Sequence, residues 1–304
     1  MASPTRAAAA VFRSVRRYPR TIRLPVLRGN YTASQRLNVL MPLGLTYLCV
    51  LIRATIAGVA ATEAQIKAQI ARIRCIVDGD IKIDASPTEL LAIFNFWNSR
   101  YGLTNVNDGV MRLEYTRPWE QEISAQDGPG WGMATNVLGG VGNFTFEIEM
   151  AGSGVTIDNI DLFAEVSDAE PLGRHLCIRR YSDNQAASGD KVFSDFNMIV
   201  ENAILALHIN KASVPEVSAP ISHLQLIVDQ VAEVEKINTG ALENLYRRYG
   251  LTKQTGYTHL PFDRRGRPME GFPMVAQDAR LILTTTAALT NFDILSEQLE
   301  GVDP

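Results

Sequence analysis

Side chains able to do chemistry are scattered along this chain. The four histidines, His175, His208, His223 and His259, each lie at least fifteen positions from the next. Neither HxH nor HExxH spacing occurs, so a local zinc cluster or a cupin-type metal site is not expected. The stretch GGVGNF (139–144) opens like a dinucleotide-binding loop, but Thr145 stands where the third glycine belongs, inside a strand pattern. A P-loop lysine motif is missing, and AGSGV (151–155) lacks the spacing of a nucleophile elbow. Asp78, Asp80 and Asp84 could suggest a calcium loop, yet oxygen-ligand loops need tighter spacing. They read instead as a hairpin turn with an exposed strand face. NYT (30–32) and NFT (143–145) match the glycan acceptor pattern and read as chance matches. The arginines of FDRRGRP (262–268) read as solvated turn residues. No catalytic, cofactor or metal residue is therefore expected, and the chain is not read as an enzyme.

Elements rather than sites carry the information. The chain has 304 residues, 46% hydrophobic and 20% charged, which suits one large or two ordinary domains with a real core. Cys49, Cys75 and Cys177 are far apart and odd in number, which argues for buried thiols rather than a disulfide framework. Charge is uneven. Nine of the 29 basic residues precede Glu63, the first acidic residue; the remainder sets 20 basic against 33 acidic residues, a net of −13. A basic arm precedes an acidic body, and the body has no electrostatic reason to bind nucleic acid.

The most apolar stretch, MPLGLTYLCVLIRATIAG (41–58), holds one charge, Arg53. Its longest uncharged run, 37–52, is too short for a spanning helix and is broken by Pro42 and Gly44. From Leu45 to Ile52 both alternating sets are mostly apolar, which predicts a strand covered on both faces. Downstream, RIRCIVDGDIKID (72–84) predicts a hairpin around Asp78-Gly79. Ser86, Pro87 and Glu89 form a capping box opening a helix that runs to about Arg100. VMRLEYTRPW (110–119), GNFTFEIEM (142–150) and IDNIDLFAEV (157–166) read as strands, and SDAEPLGR (167–174) as a linker. AILALHI (203–209) and HLQLIVDQV (223–231) then read as strands. TGALENLYRRYG (239–250) reads as a helix with Leu242, Leu245, Tyr246 and Tyr249 on one face, and ARLILTTTAA (279–288) and FDILSEQL (292–299) close the chain as strands. Each half repeats strands, one helix and closing strands. The repetition is architectural rather than residue by residue. It predicts an all-β fold of two consecutive antiparallel sandwiches with a few short helices.

The N-terminal segment opens with Ser3-Pro4 and reaches Pro19, which predicts a short helix. Ala8, Val11, Phe12 and Val15 share one face; Arg6, Arg13, Arg16, Arg17 and Arg20 gather on the other. A basic amphipathic helix of this kind rests on an anionic lipid surface. Transit-peptide, subunit-contact and disordered readings compete with it.

The ordered series LNVLMPLGLTYLCVLIRATIAGVAATEAQI, RCIVDGDI, TELLAIFNFWNSRYG, GVMRLEYTRPW and GNFTFEIEMAG resembles the major coat protein of corticoviruses, membrane-containing icosahedral bacteriophages. HLQLIVDQV, LYRRYG, PFDRRGRPM and QDARLILTTTAAL continue the likeness, and the passage from DRRGRP to ARL is also similar to the tectivirus coat protein. The resemblance covers about residues 30–300, in the order and spacing of many weak motifs. It implies a double jelly roll with an arm at 1–29, a first jelly roll at 30–167 and a second at 168–304. It also implies a homotrimer of six-fold-like outline that tiles an icosahedral shell in the virion over an internal membrane. Partners would be neighbouring trimers, penton or minor capsid proteins, and viral lipids met by the arm (Arg6, Phe12, Arg13, Arg16, Arg17, Arg20). A jelly-roll module binding carbohydrate or a receptor, spike or lectin-like, is the alternative; it would use loop aromatics such as Trp119 and Trp131. A cupin-type enzyme is a third reading, weakened by the lack of clustered ligands.

Overall fold

Alternation of apolar and polar side chains builds most of the molecule. In the computed structural model the described residues are 19–102, 106–107, 109–117, 130–135, 140–194, 196, 202–210, 220–264, 271–274 and 278–301. The first half contains β1 (Arg20–Arg23), β2 (Arg36–Leu40), β3 (Leu45–Ile56), β4 (Val59–Ala60), α1 (Glu63–Gln69), β5 (Ile70–Val77), β6 (Asp80–Ala85), α2 (Pro87–Asn98), β7 (Val106–Asn107), β8 (Val110–Glu114), β9 (Trp131–Gly132), β10 (Phe144–Met150) and β11 (Asn159–Asp168). The second contains β12 (His175–Gln185), β13 (Gly189–Phe193), β14 (Ala203–Asn210), β15 (Ile221–Val228), β16 (Val231–Asn238), α3 (Thr239–Arg247), β17 (Tyr257–Pro261), β18 (Phe272–Pro273), β19 (Ala279–Thr285) and β20 (Leu289–Glu300).

Set aside the two-residue strands and each half has the same winding. In the first, β1-β11-β3-β8 face β2-β10-β5-β6; in the second, β12-β20-β14-β17 face β13-β19-β15-β16. Counted within its half, each pair of sheets runs first-eighth-third-sixth and second-seventh-fourth-fifth. That is the double Greek key of a jelly roll, so the fold is the expected all-β double jelly roll. In both halves the longer helix, α2 or α3, sits between the fifth and sixth strands. The sheets of the two halves also join. β6, the fifth strand of the first, lies parallel to β12, the first strand of the second, at Ile83 and Ile178. The linker between β11 and β12 crosses β9 closely, because a side chain at Gly132 would strike the carbonyls of Glu170 and Pro171.

Several elements differ from expectation, each for a local reason. The segment up to residue 29 contains a strand. Arg20–Arg23 pair with Val166–Phe163 as β1, and Leu24 and Leu27 enter the core. A four-residue edge strand with an arginine at each end shows no clear alternation, since edge strands are kept short and charged. Arg20 therefore lies in a strand, not on the arm helix. β3 spans the apolar stretch as a strand, but its double apolar pattern has a second cause. A bulge at Leu48 lets Tyr47 and Val50 both point inward, opposite Val166 and Ala164. The run 223–231 is not one strand. It turns at Asp229 and Gln230, which take positive φ of 46° and 71°, and returns as β16. The expected Asp78-Gly79 hairpin does form, with φ of 49° and 85°. α1, capped by Thr62 and Gln65, was not expected. On α3, Leu242 and Tyr246 are buried but Leu245 is exposed.

Phe146 of β10 is fully buried between Cys75 and Val39 of the flanking strands. Phe146→Ala should cost about 3–5 kcal/mol, read as a lower denaturant midpoint, whereas Thr145→Ala on the same strand should move it little.

Candidate functional site

The densest group of buried charge lies where the two jelly rolls meet. Arg117, three residues beyond β8, projects from the first half into the second. Its Nη1 donates to Asp263 Oδ2 and its Nη2 to Glu297 Oε1, both at 2.6 Å, with all three side chains almost sealed from solvent. Trp97, at the end of α2, donates its indole N–H to Glu297 Oε2 at 2.7 Å, and the Arg117 guanidinium lies 4.3 Å from the Trp97 ring. The sequence builds this geometry locally. The capping box starts α2 at Ser86, and its apolar residues on all sides suit a helix with protein on both faces. Phe96, one residue earlier, stacks on His259 at 4.1 Å and meets Tyr246 of α3 edge-on.

Hydrogen-bond direction around Glu297 follows from one backbone donor. The Gln254 N–H donates to His259 Nε2 at 3.2 Å, so a neutral His259 carries its proton on Nδ1. That atom faces His208 Nδ1 at 2.7 Å, which places the His208 proton on Nε2, directed at Glu297 Oε2 at 3.4 Å. The sequence separates these histidines by 51 positions; β14 and β17 place them directly opposite. Burial pushes the Glu297 carboxyl up, but Arg117 and His208 outweigh it and hold the group at about 2.

Two further ion-pair groups rim the joint. Glu300 accepts from Lys82 and Arg179 at 2.6 Å and lies 3.1 Å from His175 Nε2, while Asp80 pairs with the same two cations. Burial opposes ionisation of Glu300, yet these partners hold its carboxyl well below the usual range. Glu89, besides capping α2, accepts from Arg180 and Asn210 of the second half at 3.4 and 3.3 Å. The arrangement binds two halves of one chain together. Among the described residues no three His, Cys, Asp or Glu side chains are grouped to hold a metal.

The residues singled out by sequence fall as follows. Arg6, Phe12, Arg13, Arg16, Arg17 and Trp119 lie outside the described residues; Arg20 is exposed on β1. Trp131 is no loop aromatic open to a ligand. It is fully buried, stacked 4.3 Å from Tyr115, with its N–H on the Leu176 carbonyl. Asp78 accepts from the backbone N–H groups of Gly142 and Asn143, Asp80 pairs with Lys82 and Arg179, and Asp84 pairs with Arg72 and Arg74. The three carboxylates are thus satisfied separately. All three cysteines are free and buried. Of the arginines of FDRRGRP, Arg265 and Arg267 lie outside the described residues, and Arg264 is half-buried rather than solvated, its carbonyl accepting from Arg100 at 2.7 Å; Asp263 beside it is wholly buried on Arg117.

A family model for the viral coat protein P2 N-terminal domain matches residues 22–167, and one for the viral coat protein P2 C-terminal domain matches 176–302. No curated protein matches the chain. The chain superposes on the major capsid protein P2 from Bacteriophage PM2 with a TM-score of 0.77 at 16% identity, covering 93% of this chain and 97% of that one. It is also similar to the MCP of STIV, Sulfolobus Turreted Icosahedral Virus (TM-score 0.62, 10% identity, 93% and 97% covered), and to the PBCV-1 virus capsid protein (0.61, 9%, 94% and 95%). At these identities the superpositions show a shared fold.

Removing Arg117 takes the paired cation from two buried carboxylates, so Arg117→Met should destabilise the chain by about 3–5 kcal/mol, measured by denaturant unfolding. Glu297 is more acidic folded than its ordinary value of 4.5, so its support is complete above that value and is lost as pH falls toward about 2. The melting temperature of Glu297→Gln should therefore fall less steeply over that window than that of the parent chain; equal slopes would contradict this.

Proposed function

The chain belongs to the viral coat protein P2 family and is a major capsid protein of the virion shell, and from this premise we propose that it assembles as a homotrimer of six-fold-like outline over an internal membrane. The observation that carries the trimer is the joint inside the chain. It is head-to-tail: the fifth strand and the helix of one jelly roll meet the first-eighth-third-sixth sheet of the next. A head-to-tail contact uses two different surfaces, so it leaves one of each free at the ends of the chain and repeats until a ring closes. Among the described residues β1 pairs only with β11 and β16 only with β15, which leaves the corresponding two edges open. Three copies would alternate within-chain and between-chain joints around the ring.

The boundaries we propose are an arm ending at residue 19, a first jelly roll over 20–168 and a second from 169 onward. The arm's arginines, Arg6, Arg13, Arg16 and Arg17, with Phe12 on the apolar face, suit anionic lipid under the shell; each arginine at such a surface contributes about 1 kcal/mol. Neighbouring trimers and penton or minor capsid proteins complete the shell. No catalytic role, cofactor or direct nucleic-acid contact is proposed, since the acidic body would repel phosphate.

Light scattering on the purified chain should give a trimer mass that persists on dilution into the micromolar range; a monomer at high concentration would contradict the reading. Deleting residues 1–18, which stops short of β1, should leave the trimer intact and weaken its binding to vesicles containing anionic lipid. Undiminished binding at both low and moderate salt would remove the membrane role.

A further inference from the structure

The two jelly rolls correspond residue by residue at the surfaces that form the joint. In β14 a bulge at Leu205 is followed by Ala206, which faces Glu297 on one side and Pro261 on the other. In β3 the bulge at Leu48 is followed by Cys49, which faces Glu165 on one side and Glu114 on the other. Glu165 of the first jelly roll thus occupies the place of Glu297 in the second. Three residues after Glu114 comes Arg117, and three after Pro261 comes Arg264. The helices agree: RYGLT follows α2 at 100–104 and recurs after α3 at 248–252, with Gly102 and Gly250 both at positive φ. Counting back five from those glycines sets Trp97 against Leu245.

Inside the chain the first set is satisfied. Arg117 pairs with Glu297, Trp97 packs beneath it, and Arg100 donates to the Tyr249 carbonyl at 3.0 Å. The corresponding set is not. Arg264 meets no carboxylate and Glu165 no cation among the described residues, and Leu245 is 44% exposed. Glu165 is half-buried; beside it on the same face of the β1-β11-β3-β8 sheet, Cys49 and Glu114 are already buried, and Arg112 pairs with Glu114 at 3.4 Å. Burial pushes the Glu114 carboxyl up to about 7, opposed by Arg112 and aided by Glu165.

We propose that Arg264 of one copy is the counter-ion of Glu165 of the next copy, with Leu245 packed beneath it, so that the between-copy joint repeats the within-chain joint. The occupant of this sheet face is a second copy of the chain because the chain itself carries both halves of the contact: Glu165, half-buried and without a cation among the described residues, at one end, and Arg264, without a carboxylate among them, beside the exposed Leu245 at the other. The inference rests on the trimer reading and narrows it to named side chains.

Light scattering across a dilution series tests it with the parent chain, Arg264→Glu, Glu165→Arg and the double variant, each checked for a parent-like melting temperature. Either single reversal should raise the concentration of half-dissociation by about tenfold or more, and the double variant should recover most of the loss. A parent chain that forms no trimer would defeat the trimer reading and this proposal with it. A trimeric parent with trimeric single variants of unchanged stability would overturn the pairing alone. A second readout does not depend on tolerance of charge reversal. With Cys49, Cys75 and Cys177 buried, the double variant Glu165→Cys with Arg264→Cys should give covalent dimers and trimers with a short bismaleimide, and neither single variant should. No between-copy bands from a trimeric double variant would overturn the pairing.

Discussion

The account depends on one electrostatic constraint: two carboxylates, Asp263 and Glu297, are buried at the joint and both accept from the guanidinium of Arg117. A carboxylate taken out of water costs several kcal/mol unless a cation and hydrogen bonds replace the lost hydration. Here the cation arrives from the other jelly roll, on a segment 146 and 180 positions away in sequence. The two sandwiches therefore cannot slide or separate without exposing the group to water or stranding a charge. A purely apolar joint would tolerate small shifts. The guanidinium, held at 2.6 Å to both acids and 4.3 Å from the centre of the Trp97 ring, accepts one arrangement. For a subunit that must tile a shell, a fixed angle between its two halves is worth more than the stability the pair itself adds.

Repetition gives that constraint its reach. Both halves share strand order, the bulge after which a small residue faces a glutamate of the eighth strand, the helix between fifth and sixth strands, and the RYGLT turn. Their joint surfaces have diverged in a directed way. α2 is apolar all round and lies between two sandwiches, whereas α3 keeps an exposed face with Leu245, Arg247 and Arg248. The buried histidine pair and Trp97 belong to the joint that is never undone; its counterpart has the simpler, more solvent-tolerant Leu245 and Arg264. A permanent contact and an assembly contact can thus descend from one geometry with different side chains.

Legibility in the sequence followed the range of the interaction. Local signals read well: the Asp78-Gly79 turn, the Ser86–Glu89 capping box, the alternation of β10 and the apolar run of β3 each depend on neighbours a few residues apart. The charged edge strand β1 and the Asp229-Gln230 turn did not, because one lacks alternation and the other lacks glycine. The joint was least legible. Arg117 ended an apparent strand, Asp263 stood among turn residues, and Glu297 fell within an ordinary strand. Nothing periodic links them, and their roles appear only once β8, β17 and β20 are brought together. The RYGLT repeat could have signalled the internal duplication, and its spacing of 148 residues is a trace that element patterns alone do not reveal.

The central claim is that one head-to-tail joint, locked by buried charge within the chain, generates the shell unit. A cryo-electron microscopy reconstruction of intact particles tests it most directly. The account predicts hexagonally outlined capsomers of three copies each, in which the joint between copies superposes on the Arg117–Glu297 joint within a copy. Capsomers with another copy number, or between-copy contacts that use different sheet faces, would contradict it.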